Sequence, residues 1–555
     1  MRHTENKILI LITITLFIIV QVCVATGNTN SKFYIKTNVA NVDGTKMGIK
    51  PGDTVFIEAG HRDHLRLYNI HGDSLNYIVF INNGGLVEIS TNIFYYGFQV
   101  KDCSYFKLTG TGSDLFKYGI KIGHTPIGAS GLTLDGTSTN YEVEHIECVN
   151  SGFAGICANP KPDCDENLNR ANFTRKNTTF HDNYVHSTYG EAFYVGHSSY
   201  TGYTITCDSV KKLVYPHEIH GLQIYNNVID SSGWDGIQVG CATIGCKIYG
   251  NKVSNYGVRN TKDQNFGIIM NAGTGGDCYN NLITNGTCTG INVFGIGGNK
   301  IYNNIIVNPG HAMNDTMITT NACGIFCDDR CTTEGSSFYF LNNTIISPKG
   351  DGIRIYSKLS KHNVISNNII LNPGSYGTYG SYVDINKSFV FTYPNVDVSV
   401  SNNYCSSSIS AGIDYLKTEN IFNYCKYLPV IDKVIDISNY NINADFNNNS
   451  RVVNGISDIG AFEYPDSIIQ RQKSKSIKII SNNSSRELHI YSEKKEQINN
   501  VSIYQLSGQL IYTNSPNNDE VAVTLNKNTG NGIYLVCAST NNEECRSKIS
   551  ICYQN

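Results

Sequence analysis

LQIYNNVIDSSGWDGIQV, Leu222 to Val239, holds the pattern that decides the fold. Apolar residues recur two apart on both sides of Asn226-Asn227, the spacing of a short strand rather than a helix. Two asparagines at one point suit a tight bend, because Asn tolerates left-handed backbone and bonds its own neighbours. A polar stretch then leads to Gly236-Ile237-Gln238-Val239, a further strand. The phrase returns as CYNNLITNGTCTGINV (Cys278 to Val293), KIYNNIIVNPG from Lys300, YFLNNTIISPKGDGIRI (Tyr339 to Ile355) and VISNNIILNPG from Val364, with a weaker copy, FHDNYVHSTYGEAFYV, at Phe180 to Val195. The second asparagine falls at 183, 227, 251, 281, 304, 343, 368 and 403, at intervals of 44, 24, 30, 23, 39, 25 and 35. The basic coil is therefore 23 to 25 residues, and the longer intervals are coils carrying loops.

Repetition at this period predicts an all-β solenoid in which each coil buries its apolar face against the next. The asparagines would then form a hydrogen-bonded ladder. Composition agrees: of 555 residues only 16% are charged, and the net charge is -3. Stacked strands ~4.8 Å apart would set like charges side by side, whereas Asn, Ser, Thr and Tyr stack without that cost. Near-neutral balance also excludes the usual electrostatic basis for a nucleic-acid partner.

These motifs resemble the right-handed parallel β-helix proteins of the pectate-lyase-like superfamily. The resemblance runs from about Phe33 to Tyr464 and includes IKPGDTVFIEAG (Ile49 to Gly60) and DIGAFEY (Asp458 to Tyr464), the latter similar to the final coil of secreted members. It implies a chain acting on, or holding, extracellular polysaccharide, and it specifies architecture more strongly than reaction.

Both ends suggest export. Residues 1–25 read as a signal peptide, with Arg2 and Lys7 ahead of an apolar run from Ile8 to Val20 and small Ala25 near a cleavage point. An uncleaved anchor is the competing reading, and no later segment is apolar enough to span a bilayer. The β-helix is expected over 26–465, a polar linker over 466–478 and a small β-sandwich over 479–555. That last part resembles the type A C-terminal sorting domain of type IX secretion, through Leu506 to Gly508 and Gly532 to Val536. The resemblance implies type IX secretion machinery as a partner and a secreted or outer-membrane-attached product; an accessory carbohydrate-binding sandwich is the alternative. The added Cys545 and Cys552 put the pairing of the last strand in question. The protein is expected to be a monomer.

Loss of Cys23 leaves 17 cysteines, which in an exported chain suggests disulfides. Cys157 with Cys164, Cys241 with Cys246, and Cys323 or Cys327 with Cys331 are close pairs. Cys278 falls at an inward strand position and is expected as a buried free thiol.

Stacking makes sequence alignment a guide to spatial neighbours. Aligning the Gly-Ile strands gives an outward column of Tyr194, Gln238, Ile269, Asn292, Phe326 and Arg354. Just before the strand come Glu191, Asp235, Phe266, Thr289, Cys323 and Asp351. Long insertions at 157–176, 196–218, 256–265 and 309–322 would wall this face into a groove. Glu191 above Asp235 is the sharpest feature, since two carboxylates about one strand spacing (~5 Å) apart raise one pKa and supply an acid and a base together. The same pair could hold calcium or cap backbone N–H groups. His197 and Arg354 are supporting candidates for catalysis. Tyr194, Trp234, Gln238, Asn271 and Asn292 are candidates for sugar contact. Asp163, Asp165, Asp328 and Asp329 are further candidates for calcium, although Leu168 and Thr174 stand where an EF-hand needs Gly and Glu. The paired Asp328-Asp329 is a polygalacturonase feature, but the companion Asn-Thr-Asp motif of that family is absent. The expected activity is a lyase or glycoside hydrolase, with a non-catalytic carbohydrate-binding or adhesin-like protein as the alternative.

Overall fold

A computed structural model describes residues 31–311, 322–374 and 388–407, parts of 413–463, and most of 476–551. The expected signal peptide, most of the linker, Leu506 to Gly508 and Cys552 lie outside the described residues. Among the described residues, parallel strands form one sheet of 23 and another of 12. Each coil of the repeat gives two short strands to the larger sheet and one to the smaller. In the coil from Leu222 to Val239 these are Gln223–Tyr225, Val228–Asp230 and Ile237–Val239. The molecule is a right-handed parallel β-helix followed by a small β-sandwich.

Alternation decides what is inside. Ile224, Ile248, Cys278, Ile301 and Phe340 pair in register through successive coils, and all are buried. Cys278 is accordingly a buried free thiol, as its position predicts. At the bend the two asparagines divide the work. The first, at 226, 280, 303, 342, 367 and 402, has φ between 52° and 59°. The second points inward and forms the ladder: the Nδ2 atoms of Asn183, Asn227, Asn251, Asn281, Asn304, Asn343 and Asn368 each donate to Oδ1 of the next, at 2.8–3.0 Å. Every rung also accepts a backbone N–H from the coil before it and donates to a backbone carbonyl, as Asn281 does to Ile248 O. The ladder thus satisfies backbone groups that an ordinary buried turn would strand.

On the outer face of the larger sheet His181, Tyr225, Tyr249, Tyr279 and Tyr302 stack with centroids 4.7–4.9 Å apart. The described part of DIGAFEY, Asp458 to Glu463, lies on the outside of this sheet, as a strap, and not as a coil. Val430, Ile459, Ala461 and Phe462 pack on Ile305, Ile346, Ile369 and Leu371. Left-handed asparagines hold the strap through Asn280 Nδ2 to Asp445 O (3.3 Å), Asn303 Nδ2 to Ala444 O (2.7 Å) and Asn342 Nδ2 to Asp458 O (3.1 Å). Arg451, fully buried, ties the strap together by donating to Phe462 O, Gly460 O and Asn303 Oδ1.

The C-terminal sandwich packs a three-stranded sheet against a four-stranded one, both antiparallel. Its last strand, Glu544–Ile551, pairs along its length with Gly532–Ser539, and Cys545 contributes to the sandwich core.

The expected disulfides are not formed. Cys164 bonds Cys207 instead, joining the loop after Ala158 to the hairpin of Tyr203–Cys207 and Val210–Val214. Cys157, Cys241, Cys246, Cys323, Cys327 and Cys331 are free. Alternation explains the error: Cys327 faces the core while Cys331 follows on the outer loop, and Cys246 also joins the core, so neighbours in sequence lie on different sides of the coil wall.

Candidate functional site

The smaller sheet positions the site. Its three-residue strands turn only the middle side chain outward, and strand pairing stacks Tyr194, Gln238, Ile269, Asn292, Phe326, Arg354 and Phe391 in one column. One step before the strand, Ala192 N donates to Asp235 O at 3.0 Å, which sets Glu191 and Asp235 on adjacent coils. Ser198, Asp235, Gln238, Asp263, Asn271 and Arg330 are among the residues lining a cavity of ≈ 440 Å³ on this face. Ser199, Thr201 and Gly202, which lead into the disulfide-tied hairpin, and the loop residues Asp263 and Gln264 stand beside it as walls.

Glu191 and Asp235 are each 1% exposed. With its nitrogen turned towards the acids, the Gln238 amide donates to Asp235 Oδ2 at 2.9 Å and Glu191 Oε1 at 3.2 Å, and accepts from Ser198 Oγ at 2.7 Å. Asp235 Oδ1 accepts the backbone N–H of Phe266 at 2.8 Å. Glu191 Oε2 is buried without a partner. Burial pushes Glu191 up to about 7. Asp235 is held well above the usual carboxylate range, by burial first and then by the neighbouring Glu191 charge. The pair therefore favours its protonated forms, the environment from which general acids are made.

The other residues singled out from sequence divide. Tyr194 Oη bonds Ser198 Oγ at 3.1 Å, burial raises its phenol to about 12, and its ring meets Phe153 edge-on. Trp234 packs edge-on against the same Phe153, at 5.7 Å. Asn271 lines the cavity, and its Oδ1 accepts Ala272 N–H. Asn292 lies two coils on from Gln238, 2% exposed, with Oδ1 unpartnered.

His197 is not arranged to serve the acids: Nδ1 accepts Ser199 N–H at 3.0 Å, the ring stacks on Tyr203 at 5.0 Å, and burial, then Lys161, lowers it to about 4. It is a neutral anchor for the hairpin wall. Arg354 is also removed from the pair. It stands four coils from Gln238, about 19 Å at ~4.8 Å per coil, and its Nε is bound to Asp351 Oδ2 in a buried ion pair.

Of the calcium candidates, Asp163, Asp328 and Asp329 are engaged in turns and an ion pair. Asp163 and Asp165 are exposed, and Asp163 Oδ1 accepts Asp165 N–H. Asp328 chelates Arg330 at 2.6–3.1 Å, and Asp329 Oδ2 accepts the N–H groups of Lys358 and Leu359. Among the described residues, metal-ligating atoms instead converge at Glu142, Glu144 and His181, within 4.8 Å of one another. Lys107 Nζ already sits between the two carboxylates, at 2.6 and 2.8 Å, and His181 Nε2 is 3.1 Å from Glu142. His181 first, then Lys107, hold Glu142 down at about 2. The alternation Tyr141-Glu142-Val143-Glu144, with Lys107 and His181 one coil to either side, was the available signal for this cluster.

Residues 478–552 match the family described as secretion system C-terminal sorting domain. The chain carries a type IX sorting domain. It is therefore a secreted or cell-surface protein, and no helix among the described residues is long and apolar enough to cross a membrane. No curated protein matches the sequence. Similar solved structures include pectate lyase Pel9A (11% identity, 79% of this chain and 97% of that one, TM-score 0.40), XylC in complex with xylose (9%, 78% and 98%, 0.37) and a lacto-N-biosidase from Eubacterium ramulus (14%, 64% and 62%, 0.36). The fold assignment rests on the strand pairing described above.

Proposed function

We propose that this exported β-helix acts on an extracellular polysaccharide laid along the smaller sheet, as a glycoside hydrolase with Asp235 and Glu191 as its acid pair. The observation that carries the reading is a pair of buried carboxyls on adjacent coils, bridged by a groove-floor amide and both raised in pKa. Asp235 lines the cavity and is the group that meets the glycosidic oxygen. Glu191 lies beneath it, and burial first, with the neighbouring acid second, keeps Asp235 protonated. The two titrate as one system, holding a proton at neutral pH that a leaving oxygen can take. Tyr194, Gln238 and Asn271 offer hydroxyl and amide groups to sugar hydroxyls.

A binding-only reading is favoured by one contact. Asp235 Oδ1 caps Phe266 N–H as Asp351 Oδ1 caps Ser388 N–H four coils away, so part of its role is structural. Incubation of the mature protein with neutral and uronate-containing polysaccharides decides between these readings. New reducing ends that disappear in Asp235→Asn support hydrolysis; unsaturated uronate products identify a lyase. Retention on a polysaccharide gel without product supports binding alone. Full activity in both Asp235→Asn and Glu191→Gln removes the pair from the mechanism.

A further inference from the structure

The outward column continues past the acid pair to an aromatic platform. Phe326 and Phe391 belong to the outward column, and Tyr356 and Tyr393 stack two positions after the outward Arg354 and Phe391, where Tyr356 N donates to Cys327 O and Tyr393 N to Ile355 O. The Tyr356 ring is the centre of the group, 5.7 Å from Phe326, 5.7 Å from Phe391 and 5.0 Å from Tyr393. Phe326, Tyr356 and Tyr393 line a cavity of ≈ 500 Å³ together with Asp328, Asp329 and Lys358. The ammonium of Lys358 lies 4.6 Å over Tyr393, and the Arg354 guanidinium 4.9 Å over Phe391.

Charge here is balanced. Arg330 is chelated by Asp328 and Arg354 by Asp351. Between the acid pair and the platform the floor column reads Gln238, Ile269, Asn292, Phe326, four successive positions without a charge. A polyanion with one carboxylate per sugar would need unmatched cations along that path. Uncharged pyranose rings, with apolar C–H faces and hydroxyl edges, need aromatic faces and neutral hydrogen-bonding groups.

We propose that this end of the groove is a stacking subsite for a neutral polysaccharide, and that one chain runs from Gln238 to Tyr356, about 19 Å at ~4.8 Å per coil. The inference rests on the polysaccharide reading above and adds the substrate class. Continuity carries it: both ends lie on one register-aligned face.

Affinity electrophoresis of the mature protein through gels containing xyloglucan or mannan, and through polygalacturonate or alginate, tests the inference. Retardation is expected in a neutral gel, with Tyr356→Ala about tenfold weaker in apparent affinity and the exposed Tyr393→Ala about threefold weaker. Tyr393→Ala guards against misfolding of the first variant, and thermal melts of both verify it. Unchanged retardation in both variants overturns the subsite. So does preferential retardation by polygalacturonate or alginate that Lys358→Gln abolishes. Retardation lost in Trp234→Ala but kept in both tyrosine variants retains the polysaccharide reading and removes this subsite. Retardation weakened by Tyr356→Ala in a protein with no turnover keeps the subsite and removes the catalytic reading. No retardation of the wild type in any gel overturns both.

Discussion

Glu191→Gln should make the protein less sensitive to rising pH. The Glu191 carboxyl ordinarily titrates at 4.5 and is raised to about 7 by burial in the folded chain. Between those values the folded state holds a proton that the unfolded state has released, so stability falls as pH rises through the window and is not regained above it. A gap from 4.5 to about 7 corresponds to ~3 kcal/mol at ~1.36 kcal/mol per unit, of which about 2.5 kcal/mol falls between pH 5 and pH 8. The neutral amide has no such dependence. Its nitrogen inherits the unpartnered place of Oε2, a cost common to both pH values that cancels in the comparison. Relief of Asp235, whose pKa Glu191 also raises, acts in the same direction. The assay is urea unfolding of wild type and variant at pH 5 and pH 8, followed by fluorescence of Trp234, the single tryptophan, which sits on Phe153 beside the acids. The wild type should lose about 2.5 kcal/mol more than the variant on going to pH 8. Equal pH dependence in the two proteins, or a variant that gains stability at pH 5 instead, would refute the claim that burial raises the Glu191 carboxyl to about 7 in the folded chain.

Asn281→Ala strands Asn251 N–H and Ile248 O in the interior and should cost about 3 kcal/mol, whereas Asn403→Ala, at the half-buried end of the ladder, should cost about 1 kcal/mol; urea melts of the two variants measure the contrast. Arg354→Met leaves the buried Asp351 without its arginine, at an expected ~3–5 kcal/mol, and adding Asp351→Asn should recover most of that loss in a double-mutant cycle. His197 has a folded pKa lowered to about 4 from 6.5, so its contribution to stability is present above 6.5 and fades as pH falls towards 4; its ring resonances should show no titration above pH 5. Gln238→Arg should place a cation between the acids and return both towards ordinary carboxylate behaviour, abolishing the pH term described for Glu191.

The β-helix was legible because its determinants are periodic. A two-residue apolar spacing and an asparagine at a fixed phase name the coil, and the eight marker asparagines are the eight members of the ladder. The same phase places Glu191 beside Asp235. What the repeat does not encode is side-chain commitment and long-range return. That Arg354 is captured by Asp351, and His197 by Ser199 and Tyr203, depends on rotamers that register leaves open. Cys164 finds Cys207 across two non-repeating loops, and the strap returns across more than a hundred residues to the turn asparagines. Neither leaves a period to detect.

One column of the helix shows how the same geometry yields either scaffold or chemistry. Asp235 and Asp351 occupy equivalent places before their strands, and each caps a backbone N–H of the following coil. Three residues on, Asp351 meets Arg354, while Asp235 meets Gln238. The arginine supplies a full positive charge, and the ion pair fixes both side chains. An amide supplies hydrogen bonds but no charge, so Asp235 keeps a high proton affinity, and Glu191 on the adjacent coil raises it further. A chain with few charges can afford one such position. It is the pairing of a coil-capping acid with a neutral partner, beside a second acid, that separates this point of the solenoid from its structural copies.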